Sequence, residues 1–189
     1  MKRLIMFFII IFPFVIEDDG FTEPFQGSKN SELLSAISKL EPEAKILQKE
    51  DINKLDCEEE MSGLIRADFN GDGLEDYAVL LKIGNIEDTV YTYKGIRYPW
   101  RRLRVWLVVF LRKGKGDFQP IVLQRLEEHS HPAYVYISVH PPGIVRDVHS
   151  GQDVKLNLPS IQETFCGKSA QIFYWVHQVK KFNTVYISE

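Results

Sequence analysis

Four oxygen-bearing side chains, Asp68, Asn70, Asp72 and Asp76, fall at positions 1, 3, 5 and 9 of the stretch DFNGDGLED, with Gly71 and Gly73 among them. Alternating carboxylates on a sharply turning chain suit a hard divalent cation. Calcium takes about six to eight oxygens at ~2.3–2.6 Å, drawn from side chains and backbone carbonyls. Gly73 at position 6 permits the bend, and Leu74 at position 7 can offer its carbonyl oxygen. Magnesium fits less well, because it demands near-octahedral geometry and keeps its waters. Three carboxylates facing a doubly charged ion also imply a loop that repels itself when no ion is present. An Asn-Gly or Asp-Gly β-turn is the plainer explanation of the same letters. Such a turn needs one dipeptide, however, and leaves the spacing of the remaining acids unexplained.

A helix-loop-helix EF-hand would carry a bidentate Glu at position 12, and here that position is Val79 inside an apolar run. The stretch RADFNGDGLEDYAVLL, residues 66–81, instead resembles the Asp-x-Asn-Gly-Asp-Gly-x-x-Asp loop of FG-GAP and VCBS-type extracellular proteins, in which strands flank the calcium site. Those proteins repeat the loop once per propeller blade, whereas this chain of 189 residues carries it once. The likeness extends loosely to small exported bacterial proteins that pair one such loop with a C-terminal aromatic hairpin like KSAQIFYWVHQVKKFNTVYISE. It implies calcium on Asp68, Asn70, Asp72 and Asp76, and it implies no catalytic activity.

Other chemistry-bearing groups are less ordered. His129 and His131 stand two apart, and His140 can add a third nitrogen to a zinc site, which would make the chain a metal-dependent hydrolase. No acid or cysteine partner is fixed by spacing, and histidines beside a proline turn are ordinary surface residues. The Gly167–Ser169 stretch lacks the earlier glycine of a phosphate loop, since position 162 is Gln, and Cys166 has no orienting base. Arg97, Arg101, Arg102, Arg104, Arg112, Lys113 and Lys115, interleaved with Tyr98, Trp100 and Trp106, have the makings of a stacking surface for nucleic acid or an acidic glycan. The acidic total argues for basic strand ends facing the run of acids over 41–60 instead. That run holds eight acids against three lysines and reads as a solvated face.

The elements that must position the loop follow from periodicity. A basic start, MKR, precedes an apolar stretch from Leu4 to Ile16, the shape of a secretory signal. Its helical length of ~20 Å falls short of the ~30 Å hydrocarbon core, so a spanning anchor is the weaker reading, although an uncleaved leader would tie the chain to a membrane. Export to the periplasm, the cell envelope or the medium is expected. Residues 17–29 read as an extended lead-in and 30–189 as one domain. Net charge is −3, and −5 without residues 1–16, which excludes a general attraction to nucleic acid. In an oxidising compartment Cys57 and Cys166 can either form one bridge or remain two buried thiols.

NSELLSAISKL reads as a short helix, and EAKILQKEDINKL after Pro42 as a second. From residue 62 the period becomes two. SGLIRADF and DYAVLLKI flank the loop as strands, and RRLRVWLVVFLRK carries apolar residues on both faces, as a central covered strand does. QPIVLQRL, AYVYISV, DVKLNL and a closing hairpin around Gln178–Lys181 follow. The fold expected is α+β, with short N-terminal helices followed by a mainly antiparallel sheet and a C-terminal hairpin. The function expected is a non-enzymatic, monomeric calcium-binding domain acting on an envelope or extracellular partner.

Overall fold

Leu103, Val105, Leu107, Val109 and Leu111 alternate with Trp106, Val108 and Phe110 along one strand, so that strand needs a cover on each face. It has both. The computed structural model describes residues 29–48, 51, 62–126, 135–165 and 169–188. In it β4 (Ile96–Gly114) lies between β3 (Asp76–Tyr93) and β5 (Asp117–Leu126). The short strands β1 (Ala44–Ile46) and β2 (Leu64–Ala67) share the outer side of β3, β1 against residues 81–83 and β2 against residues 76–79.

A second sheet has the order β11-β10-β9-β6, where β6 is Val135–His140, β9 Ser160–Phe165, β10 Ser169–Val176 and β11 Lys181–Ser188. Every pairing is antiparallel. The main core lies between the sheets, where Phe69, Ala78, Leu80 and the odd-numbered face of β4 meet Val135, Ile137, Ile161 and Phe173. On the opposite face of the first sheet, Tyr77, Val79, Leu81, Ile83, Val108 and Phe110 meet Leu33 and Ile37 of α1 (Lys29–Leu40). The hairpin of β7 (Gly143–Arg146) and β8 (Asp153–Leu156) covers the outer face of the second sheet through Leu156, which packs with Ile172 and Val185. Helix, sheet, sheet and hairpin are thus stacked layers, and burying each large apolar side chain among them stabilises by ~1.5–3 kcal/mol. Among the described residues no helix is long and apolar enough to cross a membrane.

The second N-terminal helix expected over 43–55 does not start where the sequence sets it: residues 43–48 hold no helix, and residues 49, 50 and 52–55 lie outside the described residues. Ala44–Ile46 form a strand, and Leu47 N–H donates to the Leu80 carbonyl at 2.8 Å. Ile46, Leu47, Ile52 and Leu55 read as a helical face, but the open side of β3 offers Ala44–Ile46 unpaired backbone groups, and pairing there overrides a weak propensity. Among the described residues the chain adopts one short helix and mainly antiparallel sheets. The leader, Cys57 and Cys166 lie outside the described residues.

The inter-sheet core contains one group that does not match its surroundings. Glu163 of β9 is fully buried, on the same strand face as Ile161 and Phe165. Its Oε2 accepts from Gln171 Nε2 at 2.5 Å, and the same amide donates to Gln124 Oε1 of the first sheet at 2.6 Å. Glu163 Oε1 has no hydrogen-bond partner among the described residues. Burial is the main cause that pushes its carboxyl up to about 7, against the weaker opposing pull of Gln171. A folded-state value above the unfolded one means that the proton is held more tightly in the folded protein. This stability is fully present below about pH 4.5 and is lost as pH rises through about 7. Glu163→Gln should therefore flatten the stability-versus-pH curve across that window, by on the order of 2 kcal/mol. Chemical unfolding at a series of pH values checks it.

Candidate metal site

The acid loop connects β2 to β3, and both of its ends are fixed. Phe69, the second residue of the loop, is fully buried in the inter-sheet core. Asp76 begins β3 and is also fully buried. Its Oδ2 accepts from the Phe69 N–H at 3.1 Å, and its Oδ1 accepts from the Arg112 N–H at 2.8 Å. This carboxylate therefore joins the start of the loop to the edge of the central strand. Burial pushes its pKa up to about 6, the two backbone donors oppose that, and Asp72 and Asp68 add to it by like-charge repulsion. The repulsion shows that the three aspartates share one electrostatic neighbourhood.

Between these anchors the chain wraps around Asp68. Its Oδ1 accepts from Gly71 N–H at 2.7 Å and Asp72 N–H at 3.2 Å, and its Oδ2 accepts from Gly73 N–H at 2.8 Å. Asn70 Oδ1 accepts from Asp72 N–H at 2.9 Å, and Asn70 Nδ2 donates to Asp72 Oδ2 at 3.0 Å. Asp72 Oδ1 accepts from Leu74 N–H at 2.9 Å. A carboxylate oxygen has two lone pairs. These bonds leave one on Asp68 Oδ2, one on Asn70 Oδ1 and one on each oxygen of Asp72 and Asp76. With the Leu74 carbonyl, that donor set suits a hard cation taking six or more oxygens. Among the described residues, no three His, Cys, Asp or Glu side chains already converge as a ligand cluster. The acids are turned to backbone donors instead.

The two glycines of the loop are needed for different reasons. Both have left-handed backbone, with φ of 75° at Gly71 and 83° at Gly73. A methyl group at Gly71 would lie 3.1 Å from Leu158 Cδ1 and 3.2 Å from His177 Cε1, so the loop rests there against the β8–β9 connection and the β10–β11 turn. A methyl at Gly73 would meet nothing within 4 Å among the described residues. Gly73→Ala should thus cost only the backbone strain, ~1–2 kcal/mol. Gly71→Ala should cost measurably more, because neighbours must also give way. Urea unfolding of the two variants side by side tests the difference.

Arg112, which the sequence reading sets among basic strand ends facing the acids of 41–60, sits at the acid loop. Its Nε donates to the Glu75 carbonyl at 3.2 Å, its Nη1 pairs with Glu32 of α1 at 3.3 Å, and its guanidinium lies 4.7 Å from the centre of the Phe118 ring. It ties the loop to the helix and the sheet. Its role depends on a contact eighty residues away in sequence, and no local pattern announces that. His140 of β6 sits with Nδ1 3.1 Å from Gln162 Oε1, while His129 and His131 lie outside the described residues.

The basic and aromatic residues Arg97–Arg102 fall on β4 beyond the part of the sheet that covers the core. Comparison of the chain with protein-family models, curated proteins and solved structures returns no match.

Proposed function

We propose that the chain is a non-enzymatic, exported calcium-binding domain. Calcium on Asp68, Asn70, Asp72 and Asp76 and on the Leu74 carbonyl stiffens the 68–76 loop and presents it to an envelope or extracellular partner. One observation carries the reading: Asp76 is a buried carboxylate fixed by the amides of Phe69 and Arg112, with Asp68 and Asp72 in its field. A turn alone has no use for a buried acid with two neighbouring acids. A bound dication offsets their repulsion and uses the lone pairs that the backbone leaves open. The leader Leu4–Ile16 and the extracellular character of the loops it resembles support export.

Amide-resolved NMR of the folded chain tests this reading. Calcium addition should move the amides of residues 68–76, with Arg112 and His177 as nearest neighbours, and leave those around His140 in place. Shifts centred on His140 with zinc, and none in the loop with calcium, would favour a histidine-based metal hydrolase. Mass of the mature N-terminus separately tests the leader, since export predicts a product without residues 1–16.

A further inference from the structure

β3 and β4 continue past the rest of their sheet. On its outer side β3 pairs with β1 and β2 only as far as Ile83, and β5 pairs with β4 only from Val105 onward. Beyond an irregularity after Ile83, the two strands run on as a two-stranded ribbon, from Glu87 opposite Arg102 to Tyr93 opposite Ile96. The ribbon closes at Lys94-Gly95, whose φ values of 49° and 78° are those of a two-residue type I′ turn. Each strand projects roughly 20 Å. Among the described residues no strand pairs with either outer edge of this ribbon. An isolated two-stranded ribbon is marginal in water, and unpaired edges invite another strand.

The register identifies which backbone groups face out of the ribbon. A two-residue turn makes Tyr93 and Ile96 a hydrogen-bonded pair, so Tyr91/Tyr98, Thr89/Trp100 and Glu87/Arg102 also bond inward. Asp88, Val90 and Thr92 on β3, and Arg97, Pro99 and Arg101 on β4, then direct their backbone groups outward. On β4 that edge is blunted, because Pro99 has no N–H and arginines stand on either side of it. On β3 the run Glu87–Tyr93, EDTVYTY, has no proline, lysine or arginine and is rich in β-formers. Val90 at its centre is 47% exposed.

We propose that this edge of β3 pairs with the same edge of a second copy of the chain, antiparallel about Val90. The strand is complementary to itself in that register. Val90 meets Val90 of the second copy, Asp88 meets Thr92 and Thr89 meets Tyr91, with about six backbone hydrogen bonds and no like charges opposite. A parallel pairing would set Glu87 and Asp88 against their own copies. Pairing through β4 would set a missing donor among arginines. The antiparallel β3 pairing converts two marginal ribbons into one four-stranded sheet. It departs from the monomer expected from the sequence and is independent of the calcium reading.

Sedimentation of the full chain over a concentration series up to millimolar protein tests it. The wild type should show a reversible monomer–dimer equilibrium. Thr92→Asp sets a second acid opposite Asp88 across the dyad while facing Arg97 within its own ribbon, and should weaken the dimer at least about tenfold. Adding Asp88→Thr to Thr92→Asp restores the Thr–Asp pairs and should restore association. Hydrogen exchange at the Val90 amide, which is unused within the ribbon, should slow as concentration rises. A wild type that stays monomeric throughout, or a dimer indifferent to Thr92→Asp, overturns the proposal.

Discussion

Phe69→Ala should cost about 3–5 kcal/mol of folding stability, the usual result of removing a fully buried aromatic side chain. Phe69 is completely buried among Ala78, Leu80, Val135 and Phe173, between the two sheets. It also belongs to the acid loop, where its N–H donates to Asp76. A cavity there should release both the inter-sheet packing and one anchor of the loop. Urea unfolding should show a lower midpoint with an unchanged slope, since the surface exposed on unfolding scarcely changes. Phe69→Leu retains most of the volume and should cost under about 1.5 kcal/mol. If the alanine variant lost less than about 1 kcal/mol, the site would be collapsing around the gap, and Phe69 would not anchor the loop.

Strands whose residues alternate in one uninterrupted run were readable in the sequence. The two-faced pattern of residues 103–111 belongs to β4, which is central and covered on both sides, and SAQIFYWV and KFNTVYIS form the closing hairpin. SIQETF does not read as a strand, because Glu163 interrupts its apolar face; the Gln171 amide that meets it comes from β10, directly across the sheet. EAKIL has a helical spacing that a short stretch cannot enforce against the open side of β3. The ribbon over 87–102 carried a local signal that went unread: TVYTY and IRYPW alternate on either side of a Lys-Gly turn. Its polar and charged residues, among them Asp88, Thr92, Arg97 and Arg101, hid it, since they break the apolar alternation that marks a half-buried strand. Within the loop, the spacing of Asp68, Asn70, Asp72 and Asp76 was legible, and the burial of Asp76 and the bracing by Arg112 were not, because both depend on β4 arriving alongside.

Calcium should be the largest solution lever on this fold. Modules of the extracellular kind bind it with Kd of ~10⁻⁴–10⁻³ M, and three carboxylates with no bidentate Glu suit that weak range. If only the folded state binds, calcium at about one hundred times Kd stabilises by about 2.7 kcal/mol. For a chain of this size that corresponds to a Tm rise of roughly 5–10 °C. Magnesium should give much less, because the loop's oxygens cannot adopt a tight octahedron without keeping water. Asp72→Ala removes a ligand that no backbone oxygen replaces. Without calcium it loses hydrogen bonds to Leu74 N–H and Asn70 Nδ2 but relieves repulsion with Asp76. The two effects oppose each other, so its calcium-free stability should stay within about 1 kcal/mol of the wild type.

Thermal unfolding of the wild type and Asp72→Ala, each with calcium, with magnesium and with chelator, decides whether the loop binds calcium. Binding at the loop predicts a calcium-specific rise in the wild type, none in Asp72→Ala, and nearly equal melting of the two in chelator. A wild type whose melting ignores calcium, or an Asp72→Ala protein already strongly destabilised in chelator, would mean that these acids shape a turn and bind no ion.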